Sequence, residues 1–165
     1  MKNNVPKVKK GFTLLEILLV IAAIGILAAI VIVAINPTRQ LGQARNAERE
    51  NEIRTLSDAV YQYFIETGSL PAAVAGLASD GSETAEIDVG VTACDADAGG
   101  ANSEGNVASI SLSGDLTPTY MAAIPQDPSV SDADCSGYTL TRPSAERILI
   151  QAPNAELSET IQIQR

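Results

Sequence analysis

Residues 17–35 read ILLVIAAIGILAAIVIVAI, nineteen consecutive positions with nothing more polar than one glycine. Extended back through Phe12–Glu16 (FTLLE), the run is 24 residues long, about 36 Å of α-helix at about 1.5 Å per residue. A bilayer's hydrocarbon core is about 30 Å thick, so this segment is long enough to cross it. A helix buried in a soluble core rarely stays apolar on every face for such a length. A secretory signal has an uncharged apolar region of about 7–15 residues. Here the run is longer and Glu16 sits near its start. The segment reads as a membrane span.

Its flanks set its direction. All four lysines (Lys2, Lys7, Lys9 and Lys10) precede the span with no acid among them, whereas Arg39 and Arg45 beyond it mingle with Glu48 and Glu50. Positive residues stay on the cytoplasmic side, which puts the N-terminus inside and the bulk of the chain outside. The whole chain carries −9, and without the lysine-bearing leader it would carry −13. No basic residue occurs from Thr55 to Thr141. Such a surface repels phosphate, so no nucleic-acid partner is expected. There is also no histidine, which removes the commonest general base and zinc ligand. With no nucleophile–base pair or metal-ligand spacing in view, an enzyme is not expected.

Beyond Asn36-Pro37 the sequence is helical again. Ile53, Leu56, Val60 and Phe64 recur at spacings of three, four and four, which gives one apolar face. Glu50 precedes Arg54 by four residues, the favoured order for a helical ion pair. The expectation is one long helix from about Thr13 to Glu66, kinked or locally melted near Pro37. Its second half covers a domain core, and Gly68 and Pro71 close it. Residues 72–106 are small, acidic and glycine-rich, and read as a long irregular loop with a short helix at 72–79. Alternating strands are expected at Val107–Leu112, Gly137–Thr141, Glu146–Ala152 and Thr160–Gln164. The fold class is therefore α+β, a long N-terminal helix packed on a small antiparallel sheet.

Cys94 and Cys135 are the only cysteines, and both lie in the part expected outside the cytoplasm. They are too far apart for a CxxC redox motif and suit a structural disulfide in an oxidising compartment, with two buried thiols as the alternative. Closing that 41-residue loop would stabilise the fold by about 4 kcal/mol in the chain-entropy model.

The junction Lys10-Gly11-Phe12-Thr13-Leu14-Leu15-Glu16 resembles the class III signal of type IV pilins and type II secretion pseudopilins. The resemblance is strong over about residues 7–36. It implies cleavage after Gly11 by a prepilin peptidase on the cytoplasmic side and methylation of the new amino terminus of Phe12. It also makes Glu16, fifth in the mature chain, the assembly glutamate. Many pilins carry a proline in the middle of the membrane helix; here residues 30–35 have none and the proline comes at Pro37. Some pseudopilins bind calcium in sheet-side loops. Asp95, Asp97, Asp132 and Asp134 lie near the two cysteines, but no EF-hand pattern is present, no ligands are assigned, and solvated loops share that composition. No cofactor is assigned.

Elementary chemistry gives these positions roles of their own. Glycine before a scissile bond has no side chain to obstruct a protease cleft; a chance glycine between leader and helix is the plain alternative. A carboxylate at the centre of a bilayer costs about 2.5–3.5 kcal/mol, so Glu16 needs a cation or a route to the interface. Snorkelling to the headgroups is one solution. The other is the α-amine of Phe12 in a neighbouring copy, a pairing that fixes register more than it adds stability.

The chain thus divides into a cleavable basic leader (1–11), a transmembrane and assembly helix (12–36), an amphipathic half-helix (37–66) and an acidic loop plus sheet outside the cytoplasm (67–165). The resemblance implies a subunit of a type IV pilus or related filament. Its partners would be other pilins, the prepilin peptidase, an inner-membrane assembly platform and, before assembly, the lipid bilayer. It would reside in the inner membrane as a single-pass protein, then in an extracellular or periplasmic filament. The alternatives are a minor pseudopilin of a secretion or DNA-uptake machine, and an uncleaved single-pass anchor bearing a binding domain.

Overall fold

In the computed structural model, which describes residues 11–90 and 108–165, the apolar run forms helix α1, Leu14–Ile35. None of its residues is buried by the chain's own atoms. It ends at Asn36, whose backbone is left-handed (φ 49°, ψ 79°). Two local causes converge there. A residue before proline avoids the right-handed α region, and asparagine is one of the few side chains that tolerate the left-handed one. Helix α2, Pro37–Thr67, starts at the next residue, with proline at the first helical position, where its missing N–H costs nothing. The Arg39 N–H donates to Asn36 Oδ1 at 3.3 Å, capping α2. The long helix expected from sequence, kinked or locally melted near Pro37, is interrupted at Asn36, one residue before that proline, and runs as α1 and α2.

The chain divides into two compact units, the first ending at Gln40 and the second running from Leu41 to Arg165. In the second, α2 buries Ile53, Leu56 and Val60 as their spacing requires, with Phe64 partly buried beside them. Gly68 ends the helix at φ 76°, and its N–H donates to the Phe64 carbonyl at 2.8 Å. That conformation is open to glycine at no steric cost. A single turn, α3 (Ala72–Ala75), follows Pro71.

Five strands form one sheet: β1 (Thr84–Asp88), β2 (Ala108–Ser111), β3 (Cys135–Ser144), β4 (Arg147–Ala152) and β5 (Ile161–Gln164). The turn α4 (Ser113–Leu116) follows β2. The spatial order is β2-β1-β3-β4-β5. The last three strands pair in succession and antiparallel, the sense expected of the sheet. Two features correct the expectation. Residues 84–88 form a strand inside the stretch read as irregular loop, and β1 pairs parallel with β2, so the sheet is mostly rather than wholly antiparallel. A parallel pair needs a crossover of a dozen or more residues, and nineteen lie between β1 and β2. β1 is hard to see in sequence because it is acidic: Glu86 and Asp88 are both buried, alternating with Ala85 and Ile87. The Gly137 N–H donates to Glu86 at 3.3 Å.

The core also takes in Leu112, Leu116, Tyr138, Leu140, Ile148 and Ile150. Burying a Val, Leu, Ile or Phe side chain contributes about 1.5–3 kcal/mol, and this cluster holds α2 on the sheet. Polar anchors extend the same helix face towards its start. Asn46 and Arg49, with Gly42, are buried on it and continue the spacing of Ile53 and Leu56. Arg49 donates twice to Asp127, from Nε at 2.7 Å and Nη2 at 3.1 Å. Asn46 donates to the Glu156 carbonyl and accepts from the Glu156 N–H. These bonds tie α2 to the loops before β3 and after β4.

Candidate processing and assembly segment

Gly11, Phe12 and Thr13 lead into α1 in extended or irregular backbone, and the Phe12 side chain is 80% exposed. Among the described residues, and leaving aside its chain neighbours, no atom lies within 4 Å of where a Cβ on Gly11 would stand. Both flanks of the Gly11–Phe12 bond are thus open to solvent among the described residues, as a peptidase cleft requires.

Thr13 is the N-cap of α1, in extended conformation, and its hydroxyl accepts the Glu16 N–H at 3.2 Å. Thr13-Leu14-Leu15-Glu16 has the threonine–glutamate spacing of a capping box, and the threonine half of that box is formed. This local role was not drawn from the sequence, though the spacing is visible there. Glu16 stands in the first turn, where the helix N-terminus carries partial positive charge and favours a carboxylate. Its carboxylate has no hydrogen bond or ion pair among the described residues.

The remainder of α1 is apolar and uncovered. Leu14, Leu15, Ile21, Leu27 and Val33 are each more than 60% exposed. It is the one helix among the described residues long and apolar enough to cross a membrane by length and composition. A continuous apolar surface on this scale marks a lipid or protein contact rather than a face left to water.

The remaining sequence-derived sites lie in the sheet-bearing unit. Cys135 is buried at the start of β3; Cys94 lies outside the described residues. Of the four aspartates considered for calcium, Asp95 and Asp97 also lie outside them. Asp132 accepts the Asp134 N–H at 3.0 Å, an ordinary local turn. Among the described residues, no cluster of three or more Cys, Asp or Glu side chains is placed to hold a metal ion.

Electrostatics in this unit follow its two arginine pairs. Arg45 donates to both Glu156 oxygens at 2.5 and 2.7 Å and holds that carboxyl down at about 2. For Asp127, burial alone would raise the pKa. The Arg49 guanidinium and the Ser129 hydroxyl and N–H outweigh it, and the net shift is downward. Glu52 moves the other way: burial raises its pKa, the Tyr138 hydroxyl donated to it opposes the rise, and Glu48 adds to it. None of these groups is arranged as a nucleophile with a base.

Comparison with known proteins points the same way. Residues 6–32 match the prokaryotic N-terminal methylation motif. The chain is 40% identical over 75 residues to the fimbrial protein EcpC of Eikenella corrodens, a match covering 44% of this chain and 48% of that protein. It thus spans about half the length of the curated relative it matches. No solved structure matches it significantly.

Proposed function

We propose that the chain is a type IV pilin-like structural protein, not an enzyme, and that it is a filament subunit; the N-terminal methylation motif and the likeness to a fimbrial protein support this reading. It is cut after Gly11, methylated on the amine of Phe12 and polymerised through α1. One observation carries this reading. The KGFTLLE junction (residues 10–16) opens directly onto an apolar helix that the chain's own atoms leave bare, with the Glu16 carboxylate unpartnered among the described residues. Before assembly lipid covers that helix; after assembly other copies do.

Cleavage supplies the missing cation. Once the leader leaves, the amine of Phe12 is exposed four residues before Glu16. In a stack of parallel helices one copy's amine meets the next copy's carboxylate inside an apolar bundle, where an unmatched register leaves charge buried and unpaired. The acidic sheet-bearing unit then forms the filament surface. Likeness to a fimbrial protein favours a surface pilus over a secretion pseudopilus. Outside the cytoplasm, a Cys94–Cys135 disulfide would fasten the loop before β3.

The mass of the mature N-terminus tests the reading. A chain beginning at methylated Phe12 supports a filament subunit, and an intact Met1 supports an uncleaved anchor. Gly11→Leu should leave the leader attached and block filament formation while the protein still enters the membrane. Maturation of that variant to a Phe12 terminus would refute processing at this junction.

A further inference from the structure

The α2 face carrying Ile53, Leu56 and Val60 is covered by the core. Elsewhere on the helix, α2 and the segment around Tyr120–Pro125 border a groove of about 650 Å³. Its walls include Ala44, Ala47, Met121 and Pro125, and its helical side carries Glu48 and Glu52 one turn apart. Like charges at that spacing destabilise a helix, and neither glutamate forms an ion pair with a described arginine. Ala44, Glu48, Asn51 and Thr55 recur at spacings of four, three and four, so they share one face of α2. Glu52 accepts the Tyr138 hydroxyl, and apolar walls with two carboxylates that no cation pairs among the described residues suit an occupant that is itself apolar and brings a cation.

The chain's own arginines narrow the choice. Arg45, Arg49, Arg54 and Arg165 form ion pairs within the molecule, and Arg142 donates to the carbonyls of Ala75, Leu77 and Ala145. Arg39 and Arg147 are the two described arginines whose side chains engage no carboxylate or carbonyl. Arg147 adjoins Glu146, which offsets its charge, whereas Arg39 has no acid within six residues on either side. Exposed Val33 and Ile35 precede it, which gives the required combination of apolar surface and cation. Order along the chain adds a second constraint. In the pairing of Phe12 with Glu16, the cation precedes its carboxylate; Arg39 likewise precedes Glu48 and Glu52. The two offsets have the same sense along the chain, four residues for Phe12 and Glu16 and nine to thirteen for Arg39 with Glu48 and Glu52.

We propose that the groove beside Glu48 and Glu52 seats a second copy of this chain in the filament, with Arg39 of that copy facing the two glutamates. The inference rests on the filament reading and names a contact between copies outside the membrane helix. The contact is heterologous, joining different patches on the two copies, and such contacts propagate open helical polymers when they do not close.

Charge exchange in the full-length protein tests it. Glu48 and Arg39 are both exposed, so Glu48→Arg and Arg39→Glu leave the core intact. The amount of processed subunit in the membrane should match wild type and serves as the control. Each single variant should lower the yield of sheared filaments about tenfold, because like charge then faces like across the contact. The double exchange should restore the yield to within about threefold of wild type, with opposite charges again facing each other. Wild-type yield from Glu48→Arg, or a double variant no better than either single one, overturns the proposal while filaments from wild-type cells leave the proposed function standing. Absence of filaments from wild-type cells overturns both.

Discussion

Arg49 and Asp127 meet in a two-pronged ion pair from which both side chains are wholly excluded from solvent. Ser129 and Asn46 occupy further guanidinium and carboxylate positions, so the pair is enclosed by its own hydrogen bonds. It joins α2 to the loop ahead of β3, while Arg45 and Asn46 join α2 to the loop after β4. A sheet held only by the apolar face around Leu56 would be free to shift along the helix. The polar end of that face fixes where it stops.

Breaking the pair from one side strips a buried charge of its main partner; without Asp127, Arg49 keeps only Glu156, 3.4 Å from Nη1. Arg49→Met or Asp127→Leu should each destabilise the fold by about 3–5 kcal/mol. The double variant should recover much of that loss, since no lone charge remains. Denaturant unfolding of the detergent-solubilised protein measures all three. A double variant as unstable as the sum of the singles would contradict this account of the pair.

Acid should loosen the same end of the helix. The carboxyls of Glu156 and Asp127 are held below their ordinary values by their arginine partners, Asp127 against the opposing effect of burial. The unfolded chain therefore binds protons before the folded one does. Their stabilisation is complete above about pH 4.5 and is lost as pH falls towards the folded value, about 2 for Glu156. Glu156→Gln should melt below wild type at neutral pH, and the difference should close by about pH 2. A gap of constant size across that range would mean that Glu156 acts by packing alone.

Gly137 offers a purely steric test. Its φ is 78°, and a Cβ there would stand 2.6 Å from Val130 Cγ2 and 2.8 Å from Asp127 Cβ. Alanine would be strained in backbone and crowded in side chain. Gly137→Ala should cost about 1–3 kcal/mol and disturb the Asp127 site beside it. Gly11→Ala, where no described atom beyond its chain neighbours lies within 4 Å of the added Cβ, should leave stability unchanged. Thermal melts of the two variants against wild type check the contrast.

The proposed disulfide predicts that non-reducing peptide mapping recovers Cys94 joined to Cys135, and that reduction lowers the melting temperature. A 41-residue loop corresponds to about 4 kcal/mol in the chain-entropy model. Recovery of both residues as free thiols from exported protein contradicts it.

What the sequence revealed of this architecture, and what it hid, divides along physical lines. Features written in local pattern were legible: the apolar run of α1, the spacing of Ile53, Leu56 and Val60, the Gly68 cap, the Glu50–Arg54 pair seen at 2.8 Å, and alternation in β4 and β5. Alternation at Gly137–Thr141 marked β3 as a strand, but Cys135–Thr141 is buried on both faces rather than one. β1 was not, because Glu86 and Asp88 give a buried strand the composition of a solvated loop. Its parallel pairing with β2 is a property of topology, and no local signal encodes it. Arg49 sits at the spacing that buries Ile53, yet a lone arginine reads as exposed until Asp127, far along the chain, is seen to meet it. At the N-terminal segment, residue order alone singled out Gly11, Phe12 and Glu16 as the candidate processing and assembly positions. The Thr13 cap on Glu16 was visible in the same spacing but became a hydrogen bond only in the structure.

The central claim is that Glu16 serves assembly by pairing with the amine of Phe12 in another copy. The most direct measurement is filament yield from cells expressing Glu16→Val, with membrane insertion and leader cleavage followed in parallel. Valine makes the span more apolar and should favour membrane residence, so a merely snorkelling glutamate predicts normal or improved yield. The pairing account predicts intact insertion, cleavage after Gly11 and a severe loss of filaments, with the variant subunit incorporated poorly even beside wild-type copies. Normal filament yield from Glu16→Val cells would contradict it.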